Sequence, residues 1–309
     1  MGTFFERHGA LHVEGTRLVD ASGRPVQLRG VSTLGLAWYP EFVNGRAFRT
    51  LRDDWGANTV RLAMYTCEAG GYMTDGDRAR LEALIDSGVK LCGDLGLYAI
   101  VDWHILSDGD PNRHADAAED FFGRISARYA GQRHVLYEIC NEPNGPEVTW
   151  PVVKAYAERI VPVIRANAPE AVILCGSPTW SQDVDLAAKD PIDDKNLMYT
   201  LHFYAATHGE ALRSRAEAAL AAGAPLFISE FSICDASGDG AIDWASAAAW
   251  RALICRHGLS YIAWSLSNRD ETAALICADC HKTSDWGAED LTRTGRWLRE
   301  VLREDREAD

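Results

Sequence analysis

The sequence has no long apolar run and relatively few basic residues. No stretch approaches the roughly 20 consecutive apolar residues that span a bilayer, so a membrane span is excluded. Lys and Arg number 31 against 45 Asp and Glu, a formal net charge of −14 at pH 7, and no basic cluster interrupts this acidic background. Because a phosphate backbone is bound by concentrated Lys and Arg, we expect neither nucleic acid nor a membrane as partner.

Cysteine is scarce as well, with eight residues in 309. This is far below the content of small disulfide-stapled domains, in which roughly one residue in ten is cysteine. Most of the eight lie inside apolar segments, where cysteine acts as a small buried hydrophobe. The first residues, MGTFFER, lack the basic segment and apolar stretch of a signal peptide, so no signal peptide is expected there.

One cysteine motif needs separate consideration. Residues 277–281 read CADCH, which matches the attachment pattern of c-type haem and offers up to three zinc ligands. No second Cys/His cluster lies nearby in the sequence to complete four ligands. We therefore expect no metal and no cofactor, and either a loop disulfide or free thiols at Cys277 and Cys280. A redox or metal-binding function stays open as an alternative, and it would require stoichiometric metal in the purified protein.

The chain does contain a regular alternation of two kinds of segment. It is 47% apolar and 25% charged, which is ordinary for a globular protein with a sizeable core. Short apolar runs rich in Val, Ile, Leu and Tyr recur with starts 25 to 40 residues apart, the length of one strand–helix unit. Near-continuous apolar strands are typical of a parallel sheet that is covered on both faces. The eight runs are 26–32, 57–65, 97–105, 135–143, 171–178, 196–204, 225–232 and 260–268.

Amphipathic helices are predicted between these runs. In 77–95, apolar residues recur every three or four positions, Gly96 provides a stop signal, and Thr74 is a candidate cap. Further helices are predicted at 114–129, 149–167, 209–222, 242–257 and 288–303.

Eight strand–helix units predict an α/β fold, a single-domain (β/α)8 TIM barrel. We assign 1–25 to an N-terminal hairpin that floors the barrel, 26–305 to the catalytic barrel and 306–309 to a disordered tail. A doubly wound open sheet shows the same alternation. However, residues 30–35 read GVSTLG instead of G-x-G-x-x-G, and no GxxxxGK[ST] occurs, which disfavours a nucleotide-binding fold.

Polar side chains concentrate where the predicted strands end. In a (β/α)8 barrel the carboxyl ends of the strands hold the active site. Charged groups in buried strands are costly unless they are paired, so their convergence at one end of the barrel indicates a functional site. The residues concerned are Arg61, Asp102, His104, Asn141, Glu142, His202, Tyr204, Glu230 and Trp264.

The two glutamates among these residues close strands on opposing walls. Glu142 closes the fourth run and Glu230 the seventh, so the two carboxyl groups are expected to flank a substrate. Glycosidic cleavage needs one acid to protonate the leaving oxygen and a second to attack or to activate water. A carboxyl separation of about 5–5.5 Å indicates retention, and about 6.5–9.5 Å indicates inversion.

These motifs resemble glycoside hydrolase family 5 (cellulase family A), and within it the bacterial endoglucanases of subfamily 2. The resemblance covers nearly the whole chain and is carried by GTRLVD at 15–20, PVQLRG at 25–30, VDWHILSDGDPN at 101–112, YEICNEP at 137–143, TWSQDV at 179–184 and LHFYA at 201–205.

The resemblance implies roles for individual residues. Glu142 would be the acid/base and Glu230 the nucleophile, kept ionised by Arg61 and Tyr204. The other implied contacts are a bond from Asn141 to the sugar 2-hydroxyl, His202 beside Glu142, His104 at the cleavage subsite, Trp264 as the platform beneath that sugar, and substrate contacts from Trp38, Tyr65, Trp180, Asn268, Arg269 and Glu271. Among the remaining acids, Glu138 is expected behind the site and Glu68 as a solvated loop charge.

The chain departs from the family pattern at two places. Residues 34–36 read LGL where the family usually has His-Gly-Leu, and 268–271 read NRDE where it usually has Asn-Lys-Asp-Glu. Both changes concern affinity for sugars rather than bond cleavage.

The function predicted is a retaining endo-β-1,4-glucanase (cellulase) that works by double displacement through a covalent glycosyl-enzyme, without cofactor. Its partner would be a β-glucan polysaccharide or oligosaccharide, and the enzyme is expected to be a secreted monomer, secretion being inferred from a polymeric substrate. Two alternatives stay open: the same mechanism on mixed-linkage glucan, glucomannan, mannan or xyloglucan, or a non-catalytic carbohydrate-binding barrel.

Overall fold

The apolar runs form the strands of a closed parallel barrel in the computed structural model, which describes residues 2–307. The barrel strands are β3 Arg29–Thr33, β4 Thr59–Tyr65, β5 Tyr98–His104, β6 Val135–Glu138, β7 Ile173–Cys175, β8 Leu197–Tyr204, β9 Leu226–Ser232 and β10 Tyr261–Leu266, after an antiparallel pair β1 His12–Glu14 and β2 Arg17–Val19. The barrel strands neighbour one another in the order β10-β3-β4-β5-β6-β7-β8-β9, and the pairing of β9 with β10 closes the barrel. This confirms the predicted (β/α)8 fold.

Helices occupy the segments between the strands. The α-helices are α1 Phe4–His8, α2 Gly45–Thr50, α3 Arg78–Leu95, α4 Ala115–Arg128, α5 Trp150–Asn167, α6 Pro178–Ser181, α7 Val184–Lys189, α8 Glu210–Ala221, α9 Trp244–His257 and α10 Arg293–Glu307. Shorter turns are the 3-10 helices Pro40–Phe42, Pro111–His114 and Ala288–Asp290 and the π-helix Leu51–Trp55. Within the described part of the chain, none of these helices is long and apolar enough to cross a membrane.

Helix α3 shows how local sequence sets an element. Asp77, rather than Thr74, caps its start, because the Asp77 side chain accepts a hydrogen bond from the Arg80 N–H. Gly96 ends the helix in the left-handed conformation at φ 68°, which glycine adopts without a Cβ clash. The buried face of α3 then packs on the outside of the barrel through residues such as Ile85 and Val89.

The hairpin of β1 and β2 lies at the amino-terminal end of the barrel, as predicted. Leu11 and Leu18 belong to one buried cluster with the barrel side chains Tyr98, Ile100 and Met198. This apolar floor closes the barrel interior opposite the carboxyl ends of the strands. The division of the chain at residue 25 stays a prediction.

The predicted disordered tail at 306–309 is wrong for its first two residues. Arg306 and Glu307 are the last two residues of α10. The Arg306 guanidinium donates to the Asp53 carbonyl at 2.7 Å, which attaches this end of the helix to the rest of the protein. Residues 308 and 309 lie outside the described part of the chain.

Candidate active site

A cavity of about 650 Å³ opens at the carboxyl ends of the barrel strands. Both glutamates singled out in the sequence line it, together with most of the other predicted site residues. The predicted residues in its wall are Tyr65, His104, Glu142, Trp180, His202, Tyr204, Glu230, Trp264, Arg269 and Glu271.

The two glutamates face each other across this cavity. Carboxylate oxygens of Glu142 and Glu230 and a ring nitrogen of His202 all lie within 4.8 Å of one another. Glu230 lies within β9, whereas Glu142 does not close β6 as expected, because that strand ends at Glu138. Glu142 belongs to the loop that follows, where its carbonyl accepts a hydrogen bond from the Asn144 amide at 2.8 Å.

Glu230 is held by two donors. Arg61 Nη1 donates to one carboxylate oxygen at 3.1 Å, and the Tyr204 hydroxyl donates to the other at 2.9 Å. A cation and a hydroxyl donor both favour the ionised carboxylate. Glu230 is only 4% exposed, and it lines the cavity.

Arg61 is the hub of a buried network beneath the cavity floor. Besides Glu230 it contacts Glu138 at 2.8 Å, the Asn141 side-chain oxygen at 2.6 Å and Asp102 at 3.0 Å. Burial alone would lower the pKa of Arg61, because it disfavours the charged guanidinium. The neighbouring carboxylates outweigh this effect and raise the pKa of Arg61. Burial likewise opposes ionisation of Glu138, yet Arg61 and His202 lower its pKa to about 2. Arg61 and Asn141 therefore support the site from behind the cavity wall.

Glu142 is linked to this network through His202. Nδ1 of His202 lies 2.9 Å from Glu142, and Nε2 lies 2.9 Å from the hydroxyl of Ser229, which donates to Glu138 at 2.7 Å. Since the Ser229 hydroxyl donates its proton to Glu138, the Ser229 oxygen accepts from Nε2–H of His202. In the protonated ring, Nδ1–H then donates to Glu142. Burial disfavours the charged ring, but the contacts with Glu138 and Glu142 raise the pKa of His202 to about 9.

His104 is in the opposite situation. Its Nδ1 lies 2.6 Å from Asp102 and its Nε2 faces the Asn141 amide at 3.3 Å. Burial and the Arg61 charge lower the pKa of His104 to about 3, so its ring is neutral near pH 7. Trp264 stacks beside this ring, with centroids 5.2 Å apart and planes inclined by 15°. Together they form a rigid apolar and hydrogen-bonding surface in the cavity.

Trp180 projects from a strained turn at the cavity rim. Thr179, Trp180 and Ser181 all have φ between 54° and 57°, a region that non-glycine residues rarely adopt. The Trp180 N–H donates to the Pro143 carbonyl at 3.0 Å, which ties the turn to the loop that carries Glu142. The indole remains 44% exposed. Such strain is concentrated at functional sites, where it fixes a side chain in place.

The acidic and basic rim residues form a pair of their own. Arg269 lies 3.0 Å from Glu271, and burial raises the pKa of Glu271 in spite of that guanidinium. Trp38 and Asn268 are not part of the cavity wall. Trp38 lies against Tyr65 with ring centroids 4.5 Å apart, while the Asn268 amide donates to the Cys280 carbonyl at 3.0 Å.

Three features of the site were not expected from the sequence. Ser229 was not singled out, although it directly precedes Glu230 on β9, and its hydroxyl contacts Glu138 and His202 in the same buried network. His208 also lines the cavity, and its Nδ1 accepts the Tyr204 N–H at 2.8 Å. Glu68 is not a solvated charge: one oxygen accepts the Ser107 N–H at 2.9 Å, and the other is buried.

The cysteines of the CADCH motif contact loop acceptors. Cys277 Sγ lies 3.8 Å from the Glu289 carbonyl, and Cys280 Sγ lies 3.5 Å from the Asp290 carboxylate. Both are free thiols. Of the two states left open for this motif, the structure shows the thiols.

Comparison with known proteins gives concordant matches. The family described as cellulase (glycosyl hydrolase family 5) matches residues 19–270. Endoglucanase A of Butyrivibrio fibrisolvens is 46% identical over 94% of this chain and 68% of its own length, and endoglucanase A of Evansella cellulosilytica is 44% identical over 91% and 57%. The chain thus spans between about half and two thirds of these relatives.

A solved structure gives the same picture. The catalytic domain of Thermobifida fusca endoglucanase Cel5A superposes with a TM-score of 0.93 at 36% identity, over 98% of this chain and 100% of that domain. A variant of that domain, with a TM-score of 0.90 and 37% identity, has been solved in complex with cellotetraose.

Proposed function

Because this chain belongs to glycosyl hydrolase family 5, the cellulases, we propose that it is an endo-β-1,4-glucanase that retains the anomeric configuration of its product. The observation that carries the proposal is the approach of Glu142 and Glu230 to within 4.8 Å. Carboxylate oxygens at most 4.8 Å apart fit the about 5–5.5 Å of retaining enzymes better than the about 6.5–9.5 Å at which inverting enzymes place a water between the two carboxyl groups.

In the first step, a Glu230 oxygen attacks the anomeric carbon while the glycosidic C–O bond breaks. Arg61 and Tyr204 keep Glu230 ionised for this attack. Glu142 delivers a proton to the departing oxygen, so the leaving sugar departs as a neutral alcohol. Glu142 lies 2.9 Å from Nδ1 of His202, which positions its carboxyl group for this transfer.

In the second step, water hydrolyses the glycosyl ester at Glu230. Glu142, now deprotonated, takes a proton from this water as its oxygen attacks the anomeric carbon, and the ester C–O bond to Glu230 breaks. Two inversions at the same carbon give net retention. Glu142 is then protonated and Glu230 is a free carboxylate again, so the cycle closes without any cofactor.

Substrate positioning follows from the aromatic and polar groups of the cavity wall. The apolar C–H face of a glucose unit packs on an indole, and Trp264 beside the neutral His104 offers such a surface next to the two glutamates. Exposed Trp180 offers a second indole to a further sugar of the chain. The buried Asn141 amide is fixed by Arg61 and His104. Its hydrogen bond to the sugar 2-hydroxyl stays a prediction.

We further propose that the protein acts as a secreted monomer on a neutral β-glucan, without nucleic acid or membrane partners. A polymer cannot enter a cell, and bacterial relatives of the chain are named endoglucanases. Detection of the protein in the culture medium of its source organism, and a monomer mass by light scattering, would support these two points. Retention of the protein inside the cell, or a stable dimer, would contradict them.

The decisive experiment compares two glutamate variants with a matched control. Glu230→Gln should lose at least about 1,000-fold in kcat on carboxymethyl cellulose and on cello-oligosaccharides, because no covalent intermediate can form. Glu142→Gln should be similarly slow on cellulose. On an aryl cellobioside whose leaving group needs no proton, it should instead accumulate the glycosyl-enzyme, visible as a mass increase at Glu230.

Glu210→Gln, on the exposed first turn of α8, is the control and should keep full activity. Initial formation of the α-anomer, seen by proton NMR, would contradict retention. Preferred hydrolysis of mannan or mixed-linkage glucan would shift the assignment to another β-glycan. Binding of cellohexaose by the wild-type protein without any hydrolysis would instead indicate a non-catalytic barrel.

A further inference from the structure

A second cluster of reactive side chains lies at the same end of the barrel but outside the two glutamates. It consists of Cys67, Asp108 and His114 and will be called the thiol cluster. Cys67 lies two residues beyond β4, Asp108 lies in the loop after β5, and His114 ends the 3-10 helix Pro111–His114. The three residues therefore come from two successive strand–helix connections that meet above the barrel.

The ligand atoms of the thiol cluster converge on one point. Cys67 Sγ lies 3.0 Å from Asp108 Oδ1 and 3.2 Å from His114 Nε2, and Nε2 lies 3.9 Å from Oδ1. Asp108 is buried, while the His114 side chain is 23% exposed and Cys67 is half-buried. The cluster is thus anchored in the protein on one side and reached from solvent on the other.

We propose that the thiol cluster binds a divalent transition metal of the zinc class. Bonds from zinc to sulfur, nitrogen and oxygen of about 2.3, 2.05 and 2.1 Å, set at tetrahedral angles, place neighbouring ligand atoms roughly 3.3–3.6 Å apart. The observed spacings of 3.0, 3.2 and 3.9 Å bracket this range, so small rotations of the side chains suffice. Water takes the fourth position on the exposed side.

The identity of the ligands narrows the choice of metal. Thiolate and imidazole select zinc and its neighbours in the first transition row, whereas calcium and magnesium require a shell of oxygen ligands. The carboxylate is also oriented for binding. Asp108 Oδ2 accepts from the Thr66 hydroxyl, which leaves Oδ1 directed toward Cys67. Outer contacts of this kind fix the geometry of metal ligands.

The proposed metal would tie two loops of the active-site face together. The backbone N–H of Thr66, next to Cys67, donates to the carbonyl of His104 at 3.3 Å, and the His104 ring lies in the cavity wall. The loop after β5 is further attached to the loop after β4 because Ser107 N–H donates to Glu68. A metal that bridges both loops should raise the thermal stability of this end of the barrel, because it binds the folded chain and has no preformed site in the unfolded one.

Cobalt(II) is the probe that distinguishes this site from others on the chain. After treatment with a chelator, the purified protein is titrated with Co²⁺ and then with Zn²⁺. We expect one equivalent of Co²⁺ with a near-ultraviolet thiolate-to-cobalt band that zinc displaces, and a higher Tm in the presence of zinc. Glu142, His202 and Glu230 also cluster, but they contain no thiol and cannot give this band.

Cys67→Ser and His114→Asn test the assignment separately. Each should abolish the band and weaken metal binding by more than the roughly 10–100-fold that follows loss of an outer-shell partner. Both should keep hydrolytic activity, which also shows that they fold. Cys255→Ser, which removes an exposed cysteine elsewhere, is the matched control and should bind like the wild type.

Two results would overturn the proposal. One is wild-type protein that shows no thiolate band at micromolar cobalt. The other is a band that survives Cys67→Ser but disappears when Cys277 and Cys280 are both replaced by serine, which would move the site to the CADCH motif.

Discussion

The charge on His202 makes the stability of the fold depend on pH in a defined window. Contacts with Glu138 and Glu142 raise the pKa of His202 to about 9 in the folded protein, against 6.5 for an unperturbed histidine. The folded chain therefore binds the proton more tightly than the unfolded chain. The resulting stabilisation is fully present below pH 6.5 and is lost as the pH rises through about 9.

The size of this effect follows from the same shift. Each pKa unit corresponds to about 1.4 kcal/mol, so His202 contributes about 3 kcal/mol to the free energy of unfolding. No discount for solvent screening applies, since the ring is 2% exposed. At about 2–4 °C per kcal/mol, the typical response of a domain of this size, the loss corresponds to a fall in Tm of about 6–12 °C.

Other buried histidines act in a different window. Burial lowers the pKa values of His104, His134 and His208, so their neutral form is favoured in the folded state. These groups destabilise the fold as the pH falls below 6.5. The window between pH 6.5 and 9.5 consequently isolates His202 among the histidines whose pKa values are displaced.

The assay is urea denaturation at pH 6.5 and 9.5 of the wild type, of His202→Gln and of the control His12→Gln, which changes an exposed residue of β1. Between these pH values the free energy of unfolding of the wild type and of the control should fall by about 3 kcal/mol more than that of His202→Gln. Other groups that titrate in this range, such as the thiols, are present in all three proteins and cancel in the comparison. Equal losses in the wild type and His202→Gln would refute the idea that Glu138 and Glu142 hold this ring protonated.

Three further substitutions probe other parts of the site. Ser229→Ala should lower kcat about tenfold with little change in KM and shift the pH profile, because it leaves His202 Nε2 and Glu138 without their shared partner, a loss of about 1–3 kcal/mol. Trp180→Ala should raise KM for cello-oligosaccharides with kcat unchanged, and a lower kcat alone would contradict a binding role. Arg61→Met should cost about 3–5 kcal/mol of stability in denaturation, because buried carboxylates lose their cation.

The barrel and the two glutamates were predictable because their signals are local in sequence. Each strand is a short apolar run, and the fold confirms all eight. Once the strands are placed, the carboxyl end of each is known, so Glu230 and the residues around Glu142 can be assigned to one face. The end of β6 could not be located to the residue, because Ile139 and Cys140 continue the apolar run beyond the last paired residue, Glu138.

The partners behind the site were less accessible to prediction. Glu138 was expected behind the site, but its partners were not: it contacts Arg61 across 77 residues and Ser229 across 91. Such pairings depend on which inward-facing positions share a level in the barrel, which is set by strand register and not by composition. Cys67 and His114 are 47 residues apart, and their pairing depends on the paths of the two loops that carry them.

The register also explains how two chemically identical glutamates come to have different roles. Exposure does not separate them, since Glu142 is 8% and Glu230 is 4% exposed. Their partners do. Glu230 faces the Arg61 guanidinium and the Tyr204 hydroxyl. Glu142 lies beside the His202 ring, whose pKa its carboxylate contacts raise to about 9, so the partner of Glu142 carries an exchangeable proton at neutral pH. These partners support the proposed assignment of the acid/base role to the glutamate beside His202 and of the nucleophile role to the glutamate beside Arg61.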